Sequence, residues 1–160
     1  MCDVHSTVPA MTAFAAPAPT LPVWSLDRCR WDRLNPASGS LYLLVDESRH
    51  LPIAAALTEE SMGVGIGAWL VAATIGRQPP ATLQLAGSSP EADWPALRDW
   101  ARTYAVVIAR VGVPQPGPAE ALLRSALRAL DAERGAGHDR LPFPVAQQRL
   151  DRWYRSQGGR

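Results

Sequence analysis

The sequence predicts an α/β (or α+β) fold: a small three- to four-stranded sheet that includes a β-hairpin, packed by three to four helices. Three observations carry the prediction. The apolar runs Ser40–Val45 and Leu51–Leu57 flank a polar stretch, Asp46–His50, which is a hairpin pattern. Two later segments place apolar residues at intervals of three and four, the period of a helix with one buried face. Strand-like and helix-like stretches also interleave along the chain, which favours helices layered on a sheet.

Each element has a local reason. Residues 1–22 are rich in Ala, Pro, Thr and Ser with one charge, so they bury little and read as a flexible, disordered N-terminal tail. Residues 23–160 read as one globular domain, the default at this length. Val23–Leu34 mixes Trp24 and Trp31 with Arg28, Arg30 and Arg33, and reads either as a first strand or short helix or as a docking segment. Asn35–Ser40 is a turn cluster. Pro52 cannot donate to a ladder, so its strand belongs at an edge or starts there. Thr58–Ser61 carries helix-start signals, and a helix is expected to run on through Trp69 to Gly76. Ala81–Ala86 alternates as a short strand.

Pro95 opens a helix whose apolar face is Trp94, Leu97, Ala101, Tyr104 and Ile108. In Ala105–Val113 the β-branched density favours a strand. Pro118 opens a helix to Arg134, which Gly135–Gly137 ends. A basic C-terminal helix is expected over 145–157.

Composition limits the chemistry. All 16 basic residues are Arg, against 15 acids, a formal net charge of +1. Without Lys there is no P-loop NTPase and no Schiff-base enzyme. His5, His50 and His138 have no partners at metal-ligand spacing, so no metal is expected. Two cysteines, Cys2 and Cys29, argue for a reducing cytoplasmic location. Arg28 and Arg30 beside Cys29 are expected to lower its pKa, though the bland reading is a structural Cys. Ser61–Gly76, the longest uncharged apolar stretch, is too short to span a bilayer, so no membrane association is expected.

Two constellations suggest function. Gly63, Gly65 and Gly67 at a helix start resemble, over about 13 residues, the pyrophosphate loop of the GNAT acetyltransferases. That resemblance implies an acyl-CoA- or nucleotide-binding enzyme with those glycines at the phosphates. Glu60 and Met62 stand where the family's motif has Arg or Gln, and small residues that let a helix pack closely explain the glycines equally well. The second constellation is the pairing of Arg with Trp. Trp24, Arg28, Arg30 and Trp31 form one such segment, and Arg149, Arg152, Trp153 and Arg155 form another, on the C-terminal helix. Arg beside an aromatic suits a protein groove, or phosphates and bases. The expectation is therefore a small cytoplasmic accessory protein, not an enzyme and without a cofactor. It would act by binding another protein, or less readily nucleic acid through the C-terminal helix.

Overall fold

The computed structural model describes residues 21–35, 38–86, 89–112, 117–132 and 140–159. The expected tail lies almost wholly outside the described residues, as do His5, His138 and the glycines expected to end the third helix.

Five strands form the main sheet: β1 (Val23–Trp31), β3 (Gly39–Asp46), β4 (Leu51–Thr58), β5 (Thr82–Ala86) and β6 (Val107–Val111). Their order is β4-β3-β1-β5-β6. The β1, β3 and β4 strands pair antiparallel, whereas β1, β5 and β6 pair parallel. Two residues each of β2 (Leu34–Asn35) and β7 (Leu141–Pro142) make a small parallel pair of their own. The sheet thus exceeds the expected three to four strands, because the Trp24–Trp31 segment is its central strand.

The hairpin forms as expected. Pro52 lies on β4, an edge strand that does not need its missing N–H. Leu44 pairs with Ala54 and Val45 with Pro52, so Ile53 is an extra residue that bulges the edge.

Strand alternation sends side chains of β1 to two cores. Trp24 and Leu26 join Tyr42, Leu44, Leu83 and Leu85 under α1 (Gly65–Thr74) and α2 (Pro95–Thr103). Trp31 joins Leu41, Leu43 and Val45 under α3 (Pro118–Asp131) and α4 (Phe143–Ser156). Each large side chain so buried contributes roughly 1.5–3 kcal/mol.

Helix α1 starts at Gly65 rather than near Thr58. The Thr58 hydroxyl donates to the Glu60 carbonyl, and Met62 N–H donates to the Tyr42 hydroxyl at 3.1 Å. Those bonds hold the intervening chain outside the helix. The other three helices begin with Pro in their first turn, as Pro's fixed φ favours. Helix α2 ends at Thr103, and the following Ala105 has φ +54°, which turns the chain into β6.

Candidate functional site

The register of the parallel strands fixes one level of the sheet. Leu26 pairs with Leu85, so the next residues, Asp27 and Ala86, lie side by side, and Ala86 in turn pairs with Val111. Both β5 and β6 end there. Open α/β sheets bind ligands outside the carboxyl ends of such strands, where the strand order reverses. Here β1 is that point, with an antiparallel neighbour on one side and a parallel one on the other.

A recess of about 230 Å³ opens at this level. Its lining includes Ser25, Asp27, Glu47, Gln84, Ala86 and Glu120. The elements explain the convergence. Ser25 and Asp27 share the face of β1 that turns toward α3. Glu47 follows β3, and its N–H donates to the Val23 carbonyl at 3.0 Å. Glu120 sits in the first turn of α3.

The electrostatics are one-sided. Burial, then the charges of Glu47 and Glu120, push the Asp27 carboxyl above the usual Asp value. Ser25 donates its hydroxyl proton to Glu47, and Arg124 pairs with Glu120 one helical turn on. Asp27 has no hydrogen bond or ion pair of its own among the described residues.

The residues singled out from sequence fall elsewhere. Trp24 and Trp31 are interior, with Trp24 only 2% exposed. Arg28 crosses to the opposite face and pairs at 2.7 Å with Glu91, which is 1% exposed. Arg30 is exposed and pairs with Asp32. Trp153 is buried and donates to the Ser125 hydroxyl at 3.1 Å. Arg149 donates to the Leu130 carbonyl at 3.0 Å, covering the end of α3. Arg152 and Arg155 remain exposed. Strand alternation also separates Cys29 from Arg28 and Arg30, so burial, then Asp27, raises its thiol pKa instead of lowering it.

The three glycines take three different places. Gly63 turns the chain with φ +48°, and Gly65 begins α1. A Cβ on Gly67 would meet the Ala96 carbonyl oxygen at 3.2 Å, so this glycine allows α1 to approach α2. Sequence reasoning missed Ser25, Asp27, Glu47, Gln84 and Glu120. The available signal was a charged Asp in the middle of a nine-residue strand.

No protein-family model matches the chain, and no curated protein matches it in sequence. Solved structures do match. The catalytic domain of Mos1 mariner transposase aligns with TM-score 0.59 and 17% identity, over 84% of this chain and 70% of that one. The HTLV-2 integrase catalytic core domain aligns at 0.61 and 13%, over 84% and 83%. The catalytic core domain of BIV integrase aligns at 0.53 and 15%, over 84% and 81%. The chain therefore has the RNase H-like fold of integrase and transposase domains. This corrects two expectations. The structures that share this fold are catalytic domains, which runs against the expected small accessory protein acting by protein–protein interaction and against the leaning away from an enzyme. It is not a GNAT fold either. No helix among the described residues is long and apolar enough to cross a membrane.

Proposed function

We propose that the chain acts on nucleic acid, breaking or exchanging a phosphodiester bond at the recess around Asp27. The placement of Asp27 carries the reading. It is a half-buried carboxylate at the carboxyl edge of β5 and β6, facing two further acids, with no donor of its own among the described residues. Such a group destabilises the fold, and charges are retained in this way at sites that need them. The likeness to transposase and integrase catalytic domains supports the reading. One of those is an integrase core in complex with magnesium, and another is a transposase domain with Mn.

The donor chemistry fits a hard divalent cation. Asp27 offers oxygen ligands without a competing partner among the described residues, and Glu120 offers more if it leaves Arg124. Mg²⁺ takes one or two carboxylates, with water and substrate phosphate completing its shell. Among the described residues no three His, Cys, Asp or Glu side chains make a closed ligand set. The end of β5 contributes Gln84 and Ala86, so the substrate phosphate has to complete the site. When bound, the cation would neutralise charge on the phosphate oxygens.

The chain's own residues supply the rest. Asp27 and Glu120 fix where positive charge collects, and therefore where a phosphate can rest. Ser25 orients the Glu47 carboxylate in the wall of the recess. The Gln84 carboxamide offers N–H donors to an oxygen of the substrate. Reaction is then attack of a water or nucleic-acid hydroxyl oxygen on phosphorus, its proton passing to solvent water, as the opposite ester oxygen departs and takes a proton from solvent.

The test is cleavage or strand exchange of end-labelled oligonucleotides, single and double stranded, with Mg²⁺ or Mn²⁺. The wild-type chain is expected to form product, and Asp27→Asn to lose it by about 100-fold or more, the scale of losing an essential charged group. Equal product from Asp27→Asn, or none from the wild type, would refute the reading.

A further inference from the structure

The acidic recess poses a problem for any polyanionic substrate: Asp27, Glu47 and Glu120 repel phosphate until a cation arrives. Cationic purchase must come from beside the recess, and the neighbouring guanidiniums are unequal. Arg28 adjoins Asp27 in sequence, but the buried Glu91 neutralises it. Arg124 is tied to Glu120. Two further arginines share a single carboxylate on the α2 side of β6.

Asp93 ends a short 3₁₀ helix, Pro90–Asp93, that follows β5. Its two carboxylate oxygens accept from two arginines, Oδ1 from Arg98 and Oδ2 from Arg110, each at 2.7 Å. Arg98 is fixed a second time, its Nε donating to the Ala92 carbonyl at 3.2 Å. Arg110 immediately precedes Val111, which lines the recess; strand alternation puts Arg110 beside Leu85 on the other face of the sheet, at the same carboxyl edge. Two positive charges thus share one negative charge, leaving one surplus. Both guanidiniums are about half exposed, at 55% and 47%. Each carries five N–H donors in a rigid fork, and only a minority are used among the described residues. A fork held on one side by a carboxylate has lost its rotamer freedom before any ligand arrives, so binding through it costs less ordering.

We infer that Arg98 and Arg110, clamped by Asp93 at the carboxyl end of β6, form a backbone-phosphate contact for a nucleic-acid strand that crosses the carboxyl edge of the sheet from the recess to the α2 face. The inference rests on the proposed function and deepens it. A contact of this kind positions the strand and reads no sequence.

The experiment is binding of a fluorescein-labelled duplex oligonucleotide to the full chain, by anisotropy, in a chelator so that nothing turns over. Affinity is measured across about 50–200 mM KCl. In the wild type, log K falls linearly with log salt. The Arg98→Gln/Arg110→Gln double variant is expected to lower that slope by about 1 to 2, with each single variant accounting for part. Arg102→Gln, an exposed arginine of α2 paired with Asp99, is expected to leave it unchanged. These are surface side chains, and an unchanged melting curve confirms that the variants fold. An unaltered slope in a double variant that still binds would overturn this inference alone. Absence of wild-type binding at the lowest salt would also overturn this inference, whereas the reading it rests on falls only if the wild type forms no product with Mg²⁺ or Mn²⁺.

Discussion

Arg28→Ala isolates the most consequential ion pair in the molecule. Glu91 is 1% exposed, and its carboxylate is held by Arg28 at 2.7 Å and by the Ser89 hydroxyl. Removing one partner of a buried pair costs about 3–5 kcal/mol, because the remaining charge stays desolvated. The Arg28 side chain is 34% exposed, so water screens part of the attraction. Ser89 also continues to donate. These two discounts bring the expected loss to about 2–3 kcal/mol. For a chain of this size each kcal/mol moves Tm by about 2–4 °C, so Tm should fall by roughly 4–12 °C in a thermal melt followed by circular dichroism. The double variant Arg28→Ala/Glu91→Gln should recover a substantial part of that loss, giving a coupling of about 1 kcal/mol or more. A fall under about 1 °C, or additive losses in the double variant, would refute the claim that Arg28 works inside the fold.

Three further outcomes follow from the packing and the charges. Asp27→Asn should raise Tm at pH 7. The folded-state pKa of Asp27 lies above its unfolded value, so the ionised carboxylate destabilises at neutral pH; as pH falls through the folded pKa toward 3.8, wild type and variant should converge. A variant less stable than wild type at pH 7 would contradict this. Gly67→Ala places a methyl 3.2 Å from the Ala96 carbonyl oxygen and should lose about 1–2 kcal/mol; Gly65→Ala, whose nearest neighbour is Met62 Cγ at 3.9 Å, should not. Denaturant melts showing Gly67→Ala as stable as Gly65→Ala would dispose of the close helix approach. Trp153→Ala removes a buried indole and orphans the Ser125 hydroxyl as a partner, and should lose about 3–5 kcal/mol; a loss under 1 kcal/mol would return Trp153 to the surface.

Much of the fold was legible because its signals are local. The hairpin was marked by two apolar runs around a polar turn, and α2 and α3 by their spacing and by Pro in the first turn. The central strand was harder. In Val23–Trp31 the alternation is real but both faces carry charge: Asp27 turns toward the recess and Arg28 toward Glu91. A buried ion pair and a half-buried carboxylate together make a core strand look like a solvated, partner-seeking segment. The start of α1 was misplaced because Thr58 and Glu60 satisfy each other in an extended turn, so the capping residues cap nothing. The recess was invisible for another reason. Asp27, Glu47 and Glu120 come from three elements far apart in the chain, and only the strand order brings them to one level. The glycines were visible but ambiguous, and the short distance from Gly67 to Ala96 favours close packing over phosphate binding.

The central claim is that Asp27 holds a hard cation against a nucleic-acid phosphate. The most direct measurement is Mn²⁺ binding by electron paramagnetic resonance, with a non-cleavable phosphorothioate oligonucleotide present. The wild-type chain should bind Mn²⁺ more tightly with the oligonucleotide than without it, and Asp27→Asn should lose that tight site. Equal Mn²⁺ binding by wild type and Asp27→Asn would contradict the account.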